Sequence, residues 1–164
     1  MNSDDLPEGD DDRAQQALDS DPWPAFGVEE IPYRLLLLTK MIERQSAGLL
    51  RSEAGMTLAE WRIMAHLGYF GTMTVSEVSR SAYADRAEVS RAAALLEKRG
   101  TLARAPDPRN RRSQLLSLTA EGQLLFREIR ELRKAYFHRL TSDLDDGMKA
   151  TMHKALRLIA ARLV

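Results

Sequence analysis

Cysteine is absent from this chain of 164 residues. Disulfides, Cys-ligated zinc, iron–sulfur clusters, thiol nucleophiles and thiol redox sensing are thereby excluded, which agrees with the reducing cytoplasm as the expected location. Long apolar runs are missing too: stretches such as Leu35–Leu38 and Ala92–Leu96 fall far short of the roughly 18 residues a membrane span needs. No transmembrane helix is expected, and the acidic N-terminus is unlike the basic-then-apolar start of a secretory signal. There is no phosphate-binding glycine loop and no serine elbow. The three histidines, His66, His138 and His153, fall on three different predicted helices without a metal-type i, i+4 partner. No catalytic residue, metal site or cofactor is expected, and an enzymatic function is not expected either.

What remains is a chain with 44% hydrophobic and 29% charged residues, enough for one domain with a real core. Its zero net charge hides an asymmetry. Met1 to Glu30 carries ten acidic residues against the single Arg13, whereas Ile31 to Val164 holds 23 basic and 14 acidic residues. Residues 1–29, with the runs Asp4-Asp5 and Asp10–Asp12 and three prolines, cannot bury enough apolar surface to offset ordering entropy and read as a disordered acidic extension. It acts either as a solubilising tail or as a tethered competitor for the basic surface of the rest.

From Ile31 the pattern is helical, with Pro32 suited to a first turn and Leu35, Leu38, Ile42 and Leu49 on one face, ending before Gly55. Leu36 and Leu37 widen that face, and a helix apolar on more than one side needs more than one packing partner. The next helix starts share a signature, an oxygen-bearing cap followed three residues later by glutamate. Thr57-x-x-Glu60 and Thr74-x-x-Glu77 are capping boxes, and Asp85-x-x-Glu88 is a looser relative. Helices over about 57–69, 75–82 and 86–99 follow, the last stopped by Gly100. Their apolar sets, Leu58, Trp61, Met64 and Leu67, then Val75 and Val78, then Val89, Ala93 and Leu96, are candidate core. After Gly100 two short strands are expected around the basic turn Pro106–Arg112. A long helix then opens at Thr119-x-Glu121 with Leu125, Ile129, Leu132, Tyr136 and Leu140 in period, and a last one from about Asp145 carries Met148, Met152, Ala155, Ile159 and Leu163.

Two short helices joined by a tight turn and followed by a charged hairpin form a winged helix-turn-helix. The second helix enters the major groove of DNA and the hairpin reaches the flanking backbone or minor groove. The fold expected is therefore mostly α with a small β-hairpin wing: a DNA-binding domain over 55–118, and helices over 30–54 and 119–164 that form a dimerisation region. Between Arg86 and Arg112 eight basic residues face three acidic ones, a surface that attracts phosphates, and guanidinium groups can also pair with guanine or enter a narrow minor groove. The candidate DNA contacts are Arg86, Ala87, Glu88, Ser90 and Arg91 on the second helix and Arg109, Asn110, Arg111 and Arg112 on the wing.

In its motifs the chain resembles the MarR-type winged-helix transcriptional regulators. The resemblance runs from about Leu35 to the C-terminus. It rests on Leu58-Ala59-Glu60-Trp61-Arg62-Ile63-Met64, Thr74-Val75-Ser76-Glu77-Val78, Val89-Ser90-Arg91, Leu96-Glu97-Lys98-Arg99-Gly100, and Pro106-Asp107-Pro108 with Arg111-Arg112 and Leu118-Thr119-x-Glu121-Gly122. It implies a homodimer whose first and last two helices intertwine, a palindromic operator, repression, and often a small-molecule ligand that lowers DNA affinity. The resemblance places an effector pocket between the first helix, the Trp61 helix and the winged helix, which makes Tyr33, Arg34, Arg44, Trp61, His66 and Tyr69 candidate lining residues. An arginine there suits an aromatic or carboxylic acid.

Three departures stand out. Ala87-Glu88 replaces the usual Ser/Thr pair, and a carboxylate facing DNA repels phosphate unless it accepts from cytosine N4, so either the specificity there is unusual or Glu88 is only a helix-start residue. Asn110-Arg111-Arg112 replaces Asp-x-Arg, which leaves Arg112 at most a neutral hydrogen bond as its orienting contact, with Arg109 or Asp107 available to compensate. Tyr83 stands where the family often has glycine, so the turn must avoid positive φ or bear strain. Trp61, Tyr69, Phe70, Tyr136 and Phe137 are expected in the core or in dimer contacts. The other reading of the motifs is a winged-helix module for protein contacts or non-specific nucleic-acid binding.

Overall fold

The local signals at the helix starts become the first helices of the structure. The computed structural model describes residues 26–163, the side chains of Val28 and Arg111 excepted; the acidic extension expected over 1–29 falls almost wholly outside the described residues. A 3-10 turn, Val28–Glu30, leads into α1, Ile31–Ala54, and Gly55 at φ +56° ends it. In α2, Leu58–Phe70, the Thr57 hydroxyl accepts from the Glu60 N–H while the Glu60 carboxylate accepts from the Thr57 N–H at 2.8 Å. The same reciprocal box, with Thr74 and Glu77, opens α3, Val75–Ser81. At Asp85 only the forward bond exists, to the Glu88 N–H, and α4, Arg86–Lys98, follows. Each cap satisfies donors that the first helical turn leaves orphaned.

The wing differs from two short strands. β2, Leu102–Asp107, pairs antiparallel with β3, Asn110–Leu118, which also takes a third strand, β1, Met73–Thr74, on its other edge. The two residues of β1 qualify as strand only through their partners, Leu116 and Leu115. α5, Ala120–Leu140, and α6, Asp146–Ala160, complete the chain, the latter capped by Asp145. Among the described residues no helix is long and apolar enough to cross a membrane.

The chain divides into two compact units, Leu35–Lys134 and the residues up to Arg34 with those from Ala135 onward. The first holds the core: Leu50 of α1, Ile63, Met64 and Leu67 of α2, Val78 of α3, Val89, Ala93 and Leu96 of α4, Leu116 of β3, and Phe126 and Ile129 of α5. Of the expected core, Leu58 and Val75 are partly buried and pack against it. Two glycines are required by close approach: a Cβ on Gly122 would lie 2.0 Å from the Thr101 carbonyl oxygen, and one on Gly68 would lie 2.6 Å from the Phe126 ring. Glu60, buried and adjacent to this core, also receives Arg99 from the end of α4, whose Nε lies 3.5 Å from Oε1 and whose Nη2 donates to the Gly55 carbonyl at 2.8 Å.

In the second unit Tyr33 packs edge-on against Phe26, and Arg34 donates to the Phe26 carbonyl. The apolar stripe of α6 is left open, with Met148, Met152 and Leu156 exposed and only Ile159 half-buried, and Leu163 beyond its end is exposed too.

Candidate nucleic-acid interface

α4 divides its residues by side. Val89, Ala92, Ala93 and Leu96 face the core, while Arg86, Ala87, Ser90, Arg91 and Ala94 are exposed. Ala87, Ser90, Arg91 and Ala94 follow the i, i+3, i+4, i+7 rule of one helix face. Glu88 departs from the expected DNA side: it is half-buried and lines a small crevice with Ala59 and Arg62 of α2 and Val78 of α3. Glu88 thus sits at the edge between the core side and the exposed side of α4 rather than on the Ala87–Ser90–Arg91 face.

Between α4 and the wing lies a groove of about 330 Å³ bounded by Ser76, Arg86, Ser90, Arg104, Arg112 and Gln114. Arg104 is committed within the fold, its Nε to Glu97 at 2.8 Å and its Nη1 to Gln114 at 3.3 Å. Arg86 and Arg112 make no ion pair among the described residues and are exposed. Two uncompensated guanidinium groups flanked by serine hydroxyls make a surface for phosphate and base-edge acceptors.

The ladder explains how Arg112 arrives there. Pro106 pairs with Gln114 and Asp107 with Asn110, so Arg111, Arg112 and Ser113 bulge from β3 with no residue opposite them. Pro106 has no N–H to donate, which favours such an interruption. The Asn110 side chain accepts from the Arg112 backbone N–H at 3.1 Å, so it fixes the bulge rather than the guanidinium, the orienting bond expected from the sequence. Arg109 is held elsewhere: Asp107 Oδ1 accepts from its N–H at 2.9 Å and its Nε at 3.3 Å, and its Nη2 lies 3.9 Å from Glu77. Of the wing arginines whose side chains are described, Arg112 faces the groove and Arg109 braces the wing against the start of α3.

Of the candidate effector residues, Trp61 and Tyr69 meet on one ring, that of Phe126. Trp61 is buried and stacks on Phe126 with centroids 6.0 Å apart, Tyr69 meets the same ring edge-on at 5.3 Å, and the Arg133 and Arg130 guanidinium groups lie 5.5 Å over Trp61 and 5.8 Å over Phe126. Tyr69 and Phe70 are not core, being 61% and 70% exposed, and Phe137 is exposed as well. The His66 ring, 5.9 Å from that of Phe70, donates from Nδ1 to the Arg62 carbonyl at 2.7 Å, and Arg44 is exposed. Sequence reasoning did not single out Phe126, Arg130 or Arg133. Their i, i+4, i+7 spacing on the long helix is the signal that would have.

Comparison with known proteins bears on these features directly. The MarR family sequence model matches residues 54–113. The HTH-type transcriptional repressor MdtR of Bacillus subtilis is 32% identical over 108 residues, 65% of this chain and 70% of that protein. The chain belongs to the MarR family. Transcriptional repressor MprA of Escherichia coli K12 is 29% identical over 143 residues, covering 82% of this chain and 81% of that one. Among solved structures, a MarR/EmrR family regulator from Acinetobacter sp. ADP1 superposes with a TM-score of 0.75 at 19% identity over 84% of this chain and 98% of the other. NadR in complex with 4-hydroxyphenylacetate gives 0.66 at 25% identity over 79% and 92%.

As a MarR-family protein the chain is a DNA-binding transcriptional regulator of winged-helix fold. Its α3–turn–α4 segment is the helix-turn-helix, with α4 the recognition helix and β2–β3 the wing. Tyr83 takes the strained option left open by the sequence, with φ +49°.

Proposed function

We propose that this MarR-family protein is a repressor that binds a palindromic operator as a homodimer, each subunit placing α4 in a major groove and its wing over the flanking minor groove. The observation that carries the reading is the pairing of Arg86 and Arg112 across one groove, both without an ion pair among the described residues, beside the exposed Ala87–Ser90–Arg91 face. Glu88 drops out of the DNA-facing group and Arg109 becomes a brace. The residues over 55–118 form the DNA-binding domain and those over 30–54 and 119–164 the dimerisation region. The open stripe Met148, Met152, Leu156 supports the dimer, since such a stripe is covered by a partner copy in a stable protein.

An aromatic or carboxylic acid effector is part of the proposal. Trp61, Tyr69 and His66, with Arg133 and Arg130 over the rings, suit an aromatic carboxylate, and the NadR structure holds an acid of this class. Arg44 remains a candidate, and Tyr33 and Arg34 are engaged with Phe26 in the other unit. The protein acts in the cytoplasm, has no enzymatic role and needs no cofactor.

Sedimentation equilibrium of the full chain, alone and with duplex carrying a selected operator, tests this. A dimer that binds one duplex and releases it on addition of 4-hydroxyphenylacetate or a related phenolic acid supports the whole reading. A folded monomer at micromolar concentration contradicts the dimer, and equal affinity for operator and random duplex favours the non-specific module.

A further inference from the structure

Tyr83 is the only described non-glycine residue with positive φ, and its side chain is 91% exposed. Both facts run against folding. A left-handed backbone suits glycine or asparagine, and a bulky side chain there is strained unless its surroundings impose it. The surroundings do impose it: the Ser79 carbonyl accepts from the Ala84 N–H at 3.0 Å, the Ser79 hydroxyl donates to the Ala84 carbonyl at 2.7 Å, and the Ala82 N–H donates to the Val78 carbonyl at 2.8 Å. The turn is thus bolted by backbone and by Ser79, while the phenol makes no hydrogen bond or ring contact among the described residues. For the fold alone, glycine would serve better.

The turn leads directly into the recognition helix. Arg80 in the last turn of α3 and Arg86 at the start of α4 are both exposed and flank the tyrosine in sequence, and Arg86 lines the groove facing the wing. We infer that Tyr83 is a DNA-backbone contact: its ring packs on a deoxyribose and its hydroxyl donates to a phosphate beside the one neutralised by Arg86. Phenolic hydroxyls are ordinary phosphate donors, and such contacts set the docking register of a helix-turn-helix without reading sequence. The strain is then a cost carried in the free protein for a side chain held out toward the duplex. The inference rests on the DNA-binding reading above.

The test uses the full chain, its selected operator duplex and a fixed non-operator duplex, with Tyr83→Asn, Tyr83→Phe and Arg86→Ala. Asparagine tolerates the left-handed region, so Tyr83→Asn keeps or raises Tm while weakening binding to both duplexes roughly tenfold, as the removal of one modest hydrogen bond from each subunit would. Tyr83→Phe falls between, and neither variant changes the salt slope, whereas Arg86→Ala lowers it. The inference is overturned if Tyr83→Asn binds as wild type does, if its Tm falls in step with affinity, or if the loss is confined to the operator, as a base contact would give. Wild-type protein that holds neither duplex overturns the DNA-binding reading itself, a result distinct from an unaffected variant.

Discussion

Asp107 and Arg109 are joined twice within the wing turn, one carboxylate oxygen accepting from both the backbone N–H at 2.9 Å and Nε at 3.3 Å. The Arg109 N–H, and after it the guanidinium, hold the Asp107 carboxyl below its ordinary 3.8 despite its burial. The Thr74 amide and hydroxyl, with Arg109 behind them, hold Glu77 below 4.5. Lowered folded-state values mean that the bracing is complete at neutral pH and is lost as pH falls through those values. The Arg109 amide resonance followed by NMR should titrate with a midpoint below 3.8; a midpoint at or above it contradicts the bond.

Arg112 and Arg109 should behave differently on DNA. Arg112→Ala should weaken operator binding, erase any preference for A·T-rich flanks and lower the salt slope by about one unit for each phosphate no longer neutralised. Asp107→Ala should leave the slope nearly intact and act through a looser wing. Binding titrations across a salt series check both, and unchanged affinity for Arg112→Ala at ~150 mM salt contradicts a DNA-facing wing.

Two changes remote from DNA should cost stability. Phe126→Ala removes the ring shared by Trp61 and Tyr69 and should cost about 3–5 kcal/mol. Gly122→Ala drives a methyl into the Thr101 carbonyl and should cost about 2 kcal/mol or more, since backbone rather than a flexible side chain must move. Urea denaturation measures both, and a Gly122→Ala protein as stable as wild type contradicts the close approach of Thr101 and α5.

Local chemistry was legible in the sequence and long-range chemistry was not. The Thr57–Glu60 and Thr74–Glu77 boxes are four-residue arrangements that need nothing from elsewhere, and both formed as read. Tyr83 was legible as a conflict between side chain and turn. By contrast, β1 is a strand only because Leu115 and Leu116 lie beside it. The bulge at Arg111–Ser113 depends on register, which alternation alone does not set across two prolines. The side taken by Glu88 depends on Ala59 and Val78 arriving from other helices, and the ion pair of Arg109 beyond its own turn depends on Glu77 of α3. The Trp61–Phe126 stack joins helices that the chain separates by α3, α4 and the three strands.

The acidic extension offers a prediction from charge alone. Tethered carboxylates compete best with weak electrostatic binding, so deleting residues 2–25, which spares the Phe26 contact to Tyr33, should tighten binding to random DNA several-fold at low salt. The difference should shrink once the Debye length falls to ~8 Å. Identical curves at every salt concentration make the segment a solubiliser only.

Sequence-specific recognition by two symmetric recognition helices is the central claim, and in vitro selection of the full chain against a randomised duplex library tests it most directly. One enriched palindrome is expected, its half-sites about one helical turn, or a multiple of it, apart, with enrichment abolished by Arg91→Ala or Arg112→Ala. Pools that remain random while the protein retains DNA, or a consensus without two-fold symmetry, would contradict it.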